Sequence, residues 1–117
     1  MANHFEDLEV WKRGCRLATD VYRAFEATKD FSFRDQVRRS SVSIPSNIAE
    51  GCERNYKQDF IRFLKIAKGS AAELRTQLYL VNKLAMIEAD VSLGLIAEVK
   101  ELSKMLQGLI NSMNSDA

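Results

Sequence analysis

The chain has 117 residues and carries 17 lysine and arginine side chains against 16 aspartate and glutamate side chains, a formal net charge of +1. A chain of this length fits one domain that buries roughly two-thirds of the surface exposed by its unfolded form, so it needs neither a disulfide nor a metal for stability. Because the net charge is near zero, composition gives no reason to expect binding to nucleic acid, membranes or acidic substrates. The charge is unevenly distributed, because residues 1–83 carry 15 basic and 11 acidic side chains whereas residues 84–117 carry 2 and 5.

Apolar residues recur at helical spacing along nearly the whole chain. The pattern predicts four helices over residues 8–28, 34–50, 56–84 and 91–111, all within a single domain spanning 1–117. The linkers between them are short, and no β-hairpin signal competes with this assignment. The expected fold is therefore all-α, an antiparallel up-and-down four-helix bundle.

The second predicted helix contains the one proline of the chain, Pro45. Proline removes a backbone donor and crowds the carbonyl four residues earlier, at Ser41, so we expect a kink in this helix. Gly51 stands where a helix C-cap would. The predicted buried face consists of Val37, Ser41, Ile44 and Ile48, and the side chains expected to bond the freed backbone groups are Ser41, Ser46 and Asn47.

Small residues interrupt the third predicted helix near its middle, at Gly69, Ser70, Ala71 and Ala72. Small side chains let a neighbouring backbone approach closely. The serine-rich second helix is the expected neighbour, so these two segments are predicted to touch.

The apolar faces of the first and last helices define most of the remaining core. Trp11, Tyr22 and Phe25 lie at helical spacing and are predicted to be core residues. The last helix has a heptad seam formed by Leu95, Val99, Leu102, Leu106, Leu109 and Met113. A second apolar flank, Ile96, Met105 and Ile110, either lies inside the monomer or faces another subunit. Residues 111–117 are expected to fray.

The outer face of the third helix is the best candidate for a functional surface. At 100° per residue its basic side chains gather opposite the apolar stripe; they are Arg54, Lys57, Arg62, Lys65, Lys68 and Arg75. Arg34, Arg38 and Arg39 of the second helix are placed to extend this basic stripe. It could follow the phosphate backbone of RNA or DNA, with salt-dependent affinity. The alternative is that these are ordinary solvated side chains on a bundle surface.

Polar residues beside Pro45 and in the third helix have two interpretations. Asn47 and Glu50 either contact a ligand or a second subunit, or they satisfy backbone groups freed by the proline, and local satisfaction is favoured. Glu73, with Arg75 and Arg62, is interpreted as a surface or interface ion-pair set rather than as a catalytic acid.

Enzymatic chemistry finds little support in the residue types present. The single histidine, His4, cannot supply the paired ligands of a di-iron bundle, and no phosphate-binding loop motif occurs. Cys52 is expected between helices near Arg54, which would lower its pKa, yet no histidine base accompanies it. Cys15 and Cys52 form no Cys-x-x-Cys pair, and no signal or membrane segment is found, so a reduced, cytoplasmic protein without metal or cofactor is expected.

Three segments resemble a known family. They are residues 36–39 (Gln-Val-Arg-Arg), 43–51 (Ser-Ile-Pro-Ser-Asn-Ile-Ala-Glu-Gly) and 63–74 (Phe-Leu-Lys-Ile-Ala-Lys-Gly-Ser-Ala-Ala-Glu-Leu). Together with the opening Phe-Glu-Asp-Leu-Glu-Val-Trp of residues 5–11, they are similar to the bacterial four-helix-bundle proteins of the 23S rRNA intervening sequence family. The chain departs from that pattern at Cys52 and Glu53, where an aromatic or small residue followed by a glycine is common. It departs again at Ser40 and Ser41, which replace an alanine-rich pair.

The resemblance implies an up-and-down bundle that assembles into a ring-shaped homopentamer. Some members of the family are encoded within insertions of bacterial 23S rRNA genes, and distant relatives are retroelement accessory proteins that bind nucleic acid and a reverse transcriptase. For most members no biochemical activity is established. The expected function is therefore a non-enzymatic oligomeric binding module that contacts RNA or DNA through the basic stripe; the alternative is a protein-interaction scaffold without a nucleic-acid ligand.

Overall fold

The computed structural model describes residues 4–115, which form a short 3-10 turn (Phe5–Asp7) and four α-helices. The helices are α1 (Glu9–Ala24), α2 (Phe31–Glu53), α3 (Lys57–Lys83) and α4 (Ala89–Ser115). Consecutive helices pack against each other, and α1 also packs against α4, which closes a bundle measuring 47 × 20 × 19 Å. The predicted all-α, up-and-down four-helix bundle is confirmed.

Several helix ends differ from the predicted bounds, because caps and chain reversals set them. The first helix ends at Ala24 rather than at residue 28, because α2 already begins at Phe31 and the chain must reverse between them. Asp30 caps α2, its carboxylate accepting a hydrogen bond from the Phe33 backbone N–H at 3.1 Å. The third helix lies within one residue of its prediction at each end. The fourth continues to Ser115, so residues 111–115 are helical rather than frayed; residues 116–117 lie outside the described range.

Gly51 lies inside α2 and does not cap it. It is buried against α3, where a Cβ atom built on it would stand 2.6 Å from the Cβ of Phe63. The helix instead stops after Glu53, and Asn55 takes the left-handed conformation with φ 60°. The glycine is therefore required by close helix packing, which a capping pattern cannot distinguish in sequence.

The helix α2 runs through Pro45 without ending there. Pro45 is buried against α1, where its ring lies opposite Gly14, and a Cβ on that glycine would be 3.4 Å from the proline Cβ. Two of the predicted side chains do bond local carbonyls: Ser41 Oγ donates to the Arg38 carbonyl at 2.7 Å, and Asn47 donates to the Ser43 carbonyl at 2.8 Å. Neither reaches the Ser41 carbonyl that the proline leaves without its helical donor.

The core follows most of the predicted apolar faces. Every residue of the predicted buried face of α2 is buried, and so are Ile96 and Ile110 of the second flank of α4. That flank therefore belongs to the monomer core, with Met105 half-buried. Phe25 is fully buried and Trp11 half-buried, its ring packed edge-on against Phe5. The core prediction was wrong for Tyr22, which is 44% exposed.

Candidate functional site

The predicted basic stripe separates into two groups, one near the start of α3 and the other farther along α3, beside α4. Arg54 and Arg62 belong to the first group. The guanidinium groups of Arg54 and Arg62 both lie over the ring of Phe63, at 4.8 and 4.7 Å from its centroid. Arg54 also pairs with Glu50 at 2.9 Å, and Arg62 approaches Asp59 at 3.9 Å. Neighbouring carboxylates thus offset part of the charge that these two arginines would offer to phosphate.

The arginines near the start of α2 are also engaged locally. Arg34 pairs with Asp35 at 3.0 Å and stacks on Phe31. Arg38 donates to the Tyr22 carbonyl at 2.7 Å and covers the Tyr22 ring at 4.5 Å, which explains why that tyrosine lies at the surface. The Nε of Arg38 is buried without a hydrogen-bond partner among the described residues. Of these three arginines, Arg39 is the one that is exposed and forms no ion pair within residues 4–115.

The remaining basic residues of α3 lie beside α4. Lys68 and Arg75 line a groove between the two helices together with Lys100 and Lys104 of α4, and Ser103 and Gln107 complete its walls. Lys68 Nζ donates to Gln107 Oε1 at 2.6 Å across this groove. We call the groove lined by Lys68, Arg75, Lys100 and Lys104 the basic groove. Lys65 is exposed and Lys57 half-buried on the same helix, and neither forms an ion pair within the described residues.

Sequence reasoning missed the two lysines of α4. The last helix carries more acidic than basic residues overall. Periodicity within one helix also does not show which edge of a neighbouring helix lies beside it. The antiparallel packing of α3 and α4 places one edge of each helix in the same groove, and this brings the two lysines of α4 beside the basic residues of α3. Lys100 and Lys104 are four residues apart, which is the spacing that puts two side chains on one helix face.

The polar residues around Pro45 are used for local structure. Asn47 donates to both the carbonyl and the hydroxyl of Ser43, and the Ser43 hydroxyl lies 2.8 Å from the Ser70 hydroxyl of α3. This contact confirms that the serine-rich segment of α2 touches the small-residue segment of α3. Gly69 does not take part, because a Cβ built on it would have no neighbour within 4 Å.

Two predicted electrostatic arrangements are corrected. Within residues 4–115, Glu73 forms no ion pair with Arg62 or Arg75, because Arg62 turns to Asp59 and Arg75 faces the basic groove. Cys52 is buried inside α2, and burial raises the pKa of its thiol rather than Arg54 lowering it. The surroundings of Cys52 therefore do not activate its thiol as a nucleophile.

The described residues contain no group of three or more histidine, cysteine, aspartate or glutamate side chains placed to hold a metal ion. None of the helices within residues 4–115 combines the length and apolarity needed to cross a bilayer.

Comparison with known proteins identifies relatives of this fold. A crystal structure of a protein of unknown function from the S23 ribosomal protein family of Bacteroides thetaiotaomicron is similar, with a TM-score of 0.80 and 27% sequence identity over 86% of this chain and 97% of that chain. No curated protein matches the chain. The family model described as 23S rRNA-intervening sequence protein matches residues 6–108. Because that match spans most of the sequence, the chain belongs to the 23S rRNA-intervening sequence protein family.

Proposed function

We propose that this protein is a non-enzymatic binding module that contacts the phosphate backbone of RNA or DNA through the basic groove. The observation that carries the proposal is the meeting of four cations, two from each helix, in a groove without an acidic lining residue. The chain as a whole is almost neutral, so this concentration of one charge sign is local and does not follow from composition.

The groove suits a phosphate backbone for two physical reasons. Arg75, Lys100 and Lys104 are exposed and form no ion pair within the described residues, so their charges remain available to a ligand. They are carried by two packed helices, which fix the positions of their Cα atoms before binding. Each phosphate neutralised by such a cation releases condensed counterions, which favours binding at low salt.

Assembly into a ring, as the family resemblance implies, would strengthen such contacts. One groove offers only a few charges, and its affinity alone would be modest. Several copies presented on one oligomer convert later contacts into intramolecular events with a high effective concentration. The name of the family refers to sequences within 23S rRNA, which makes structured RNA the first ligand to test.

The test is a charge reversal with a matched control. The triple variant Arg75→Glu, Lys100→Glu, Lys104→Glu is compared with Lys12→Glu, Lys29→Glu, Lys83→Glu, which changes the net charge equally at other exposed positions. Binding to labelled structured RNA and duplex DNA is measured across a salt series. We expect the groove variant to lower the slope of log affinity against log salt by about two to three, since each lost phosphate contact contributes slightly less than one.

The control variant should retain more of the wild-type slope than the groove variant. Circular dichroism and oligomer mass are measured for all proteins, so that a folding defect is separated from a binding defect. A folded groove variant that binds as tightly as the control would overturn the proposal.

A protein-interaction scaffold is the second candidate function, and one surface feature favours it. Large apolar side chains are exposed where α3 ends and α4 begins: Leu80, Leu84, Val91 and Leu93 are 45, 68, 41 and 52% exposed. Contiguous exposed apolar residues mark protein contacts more often than nucleic-acid contacts. Nuclease treatment before a pull-down separates the candidates, because a protein scaffold keeps its partner and a nucleic-acid-bridged complex loses it.

A further inference from the structure

A polar crevice on the opposite side of α3 contains groups that the rest of the fold leaves unused. It is bordered by Arg39 and Ser40 of α2, Glu73 and Gln77 of α3, and Tyr22 of α1. The bond between the Ser43 and Ser70 hydroxyls fixes the register of α2 against α3. Because the two helices are antiparallel, this register brings residue 40 opposite residue 73. Acidic, basic, hydroxyl, amide and aromatic groups therefore share one crevice.

Two of these polar side chains are mostly buried, and one of them, Gln77, has a buried atom without a partner. Gln77 is only 9% exposed and Ser40 only 7% exposed. The Oε1 atom of Gln77 is buried and accepts no hydrogen bond from the described residues. No described residue bonds its amide nitrogen or the Ser40 hydroxyl, and both of these atoms remain partly accessible to solvent. Rotating the amide by 180° breaks no hydrogen bond, so Gln77 can present either its oxygen or its nitrogen to a ligand. Buried polar atoms are nearly always satisfied, so the buried Gln77 oxygen points to a bound molecule that satisfies it, and the Ser40 hydroxyl beside it is available to the same molecule.

The charged residues of the crevice are also unpaired. Arg39 and Glu73 carry opposite charges, yet neither forms an ion pair within 4.0 Å in the described part of the chain. A ligand for this crevice must therefore offer hydrogen-bond donors to a carboxylate and a negative group to a guanidinium. The exposed Tyr22 ring, covered on one face by Arg38, adds an aromatic surface beside them.

We propose that this crevice binds an unpaired guanine nucleotide of a nucleic-acid strand. Guanine carries two adjacent donors, N1–H and N2–H, that a carboxylate such as Glu73 accepts together, and its remaining edge atoms suit the Gln77 amide and the Ser40 hydroxyl. The nucleotide phosphate suits Arg39. Adenine has an acceptor at N1, which would face the carboxylate unfavourably. Proteins commonly recognise unpaired bases by stacking on aromatic rings and bonding their edges.

This inference rests on the proposed nucleic-acid function but assigns base recognition to a second surface. The basic groove lies between α3 and α4, whereas the crevice lies between α2 and α3. Contacts in the groove supply affinity without sequence information, and contacts in the crevice supply the choice of base. The two surfaces can therefore be tested independently.

The first experiment titrates the intact protein with 5′-GMP, 5′-IMP and 5′-AMP by calorimetry. IMP lacks only the N2 amino group, so we expect GMP to bind about tenfold more tightly than IMP, since one lost donor to a carboxylate has about that effect. AMP should bind more weakly still. Glu73→Gln should abolish the GMP preference, whereas Glu101→Gln, a matched change at an exposed position of α4, should retain it. Equal affinity for GMP and AMP would overturn the proposal.

A second variant separates a loss of GMP binding from a loss of folding. Gln77→Leu removes an unsatisfied buried amide, so we expect a higher melting temperature together with weaker GMP binding. A variant that is more stable and still binds GMP normally would contradict the assignment of Gln77. If instead a neighbouring subunit fills the crevice, GMP will give no heat and Glu73→Gln will change the oligomer mass, which also overturns the proposal.

The third measurement separates this inference from the proposed function. The ligands are a uridine 12-mer and the same 12-mer with one central guanosine. Equal, salt-dependent binding of both would support the groove and refute the crevice. Tighter binding of the guanosine 12-mer would support the crevice. No binding of either oligonucleotide at low salt would refute the groove and would also overturn the crevice as a site for a strand, even if free GMP still binds.

Discussion

Gly51 of α2 lies directly against Phe63 of α3, so close that a Cβ on the glycine would stand 2.6 Å from the Cβ of the phenylalanine. The atoms in the way are the near end of a buried side chain, which cannot swing aside as a flexible tip would. We therefore expect Gly51→Ala to lower the free energy of unfolding by about 1–3 kcal/mol, through forced separation of the two helices. Denaturant unfolding followed by circular dichroism measures this change.

The chain offers a matched control for that substitution in Gly69. It also lies inside a helix, but a Cβ there would have no neighbour within 4 Å. Gly69→Ala should raise stability by up to about 1 kcal/mol, because alanine is the better helix former. If both alanine variants gain stability, the close contact between α2 and α3 at Gly51 is wrong.

The end of α3 contains an alanine in a conformation that favours glycine. Ala85 has φ 51°, its N–H bonds the Asn82 carbonyl, and the Met86 N–H bonds the Val81 carbonyl. These are the two bonds of a Schellman motif, whose left-handed position is usually occupied by glycine. We expect Ala85→Gly to raise the free energy of unfolding by about 0.5–1 kcal/mol by relieving this backbone strain.

The same substitution inside a helix should have the opposite effect. Ala97 is exposed within α4, and Ala97→Gly should cost about 1 kcal/mol through lost helix propensity. Thermal melts of the two single variants give the comparison. A destabilised Ala85→Gly protein would argue against the left-handed turn between α3 and α4.

The contact between α1 and α4 should depend on pH through Glu98, whose carboxylate pairs with both Arg13 and Arg16. Glu98 accepts hydrogen bonds from Arg13 at 2.8 and 3.0 Å, and these bonds lower the pKa of its carboxyl group. A lowered folded-state pKa stabilises the fold above the ordinary glutamate pKa, and this stabilisation is lost as the pH falls through the folded-state value. Glu98→Gln should therefore cost about 1 kcal/mol at pH 7 and progressively less below about pH 4.

Unfolding of wild type and Glu98→Gln at pH 7, 5, 4 and 3 checks this dependence. Glu26→Gln, a change at an exposed position, controls for the lost charge alone. A stability difference between wild type and Glu98→Gln that stays constant down to pH 3 would refute the pairing.

Both cysteines should be slow nucleophiles in the folded protein. Burial raises the pKa of the Cys15 and Cys52 thiols, so little thiolate exists at neutral pH. We expect slow modification by a disulfide reagent at pH 7, with the half-buried Cys15 reacting before the buried Cys52, and faster modification at higher pH or in urea. The variant Cys15→Ser isolates the second thiol. Rapid reaction of Cys52 in the native protein at pH 7 would contradict this account.

The fold was predictable because its main signal is local and periodic. Residues such as Val37, Ile44 and Ile48 repeat at helical spacing, and all three are fully buried. Gly51 was misassigned because a glycine near a helix end has the same sequence signature whether it caps the helix or admits a neighbour. Tyr22 was misassigned because the arginine that holds it at the surface, Arg38, belongs to another helix.

The candidate site was less predictable because charge availability depends on tertiary contacts. The sequence shows that Arg54, Arg62 and Lys68 are basic, but not that the first two share the ring of Phe63 while the third faces α4. Lys100 and Lys104 join the groove only through helix packing. Unpartnered groups such as the Gln77 amide cannot be identified from sequence at all, because a missing hydrogen bond is a property of three-dimensional surroundings.

The hydrogen bond between Lys68 and Gln107 makes the glutamine a neighbour that would compete with a phosphate proposed to bind in the basic groove. Gln107 also donates to Asn111 at 2.8 Å, so the ammonium group, the amide and the asparagine form one chain that extends toward the end of α4. A phosphate bound at Lys68 would share the three donors of its ammonium group with Gln107. If phosphate binding weakened the bond to Gln107, occupancy of the proposed groove and the order of the last turns of α4 would be thermodynamically linked, and each would oppose the other.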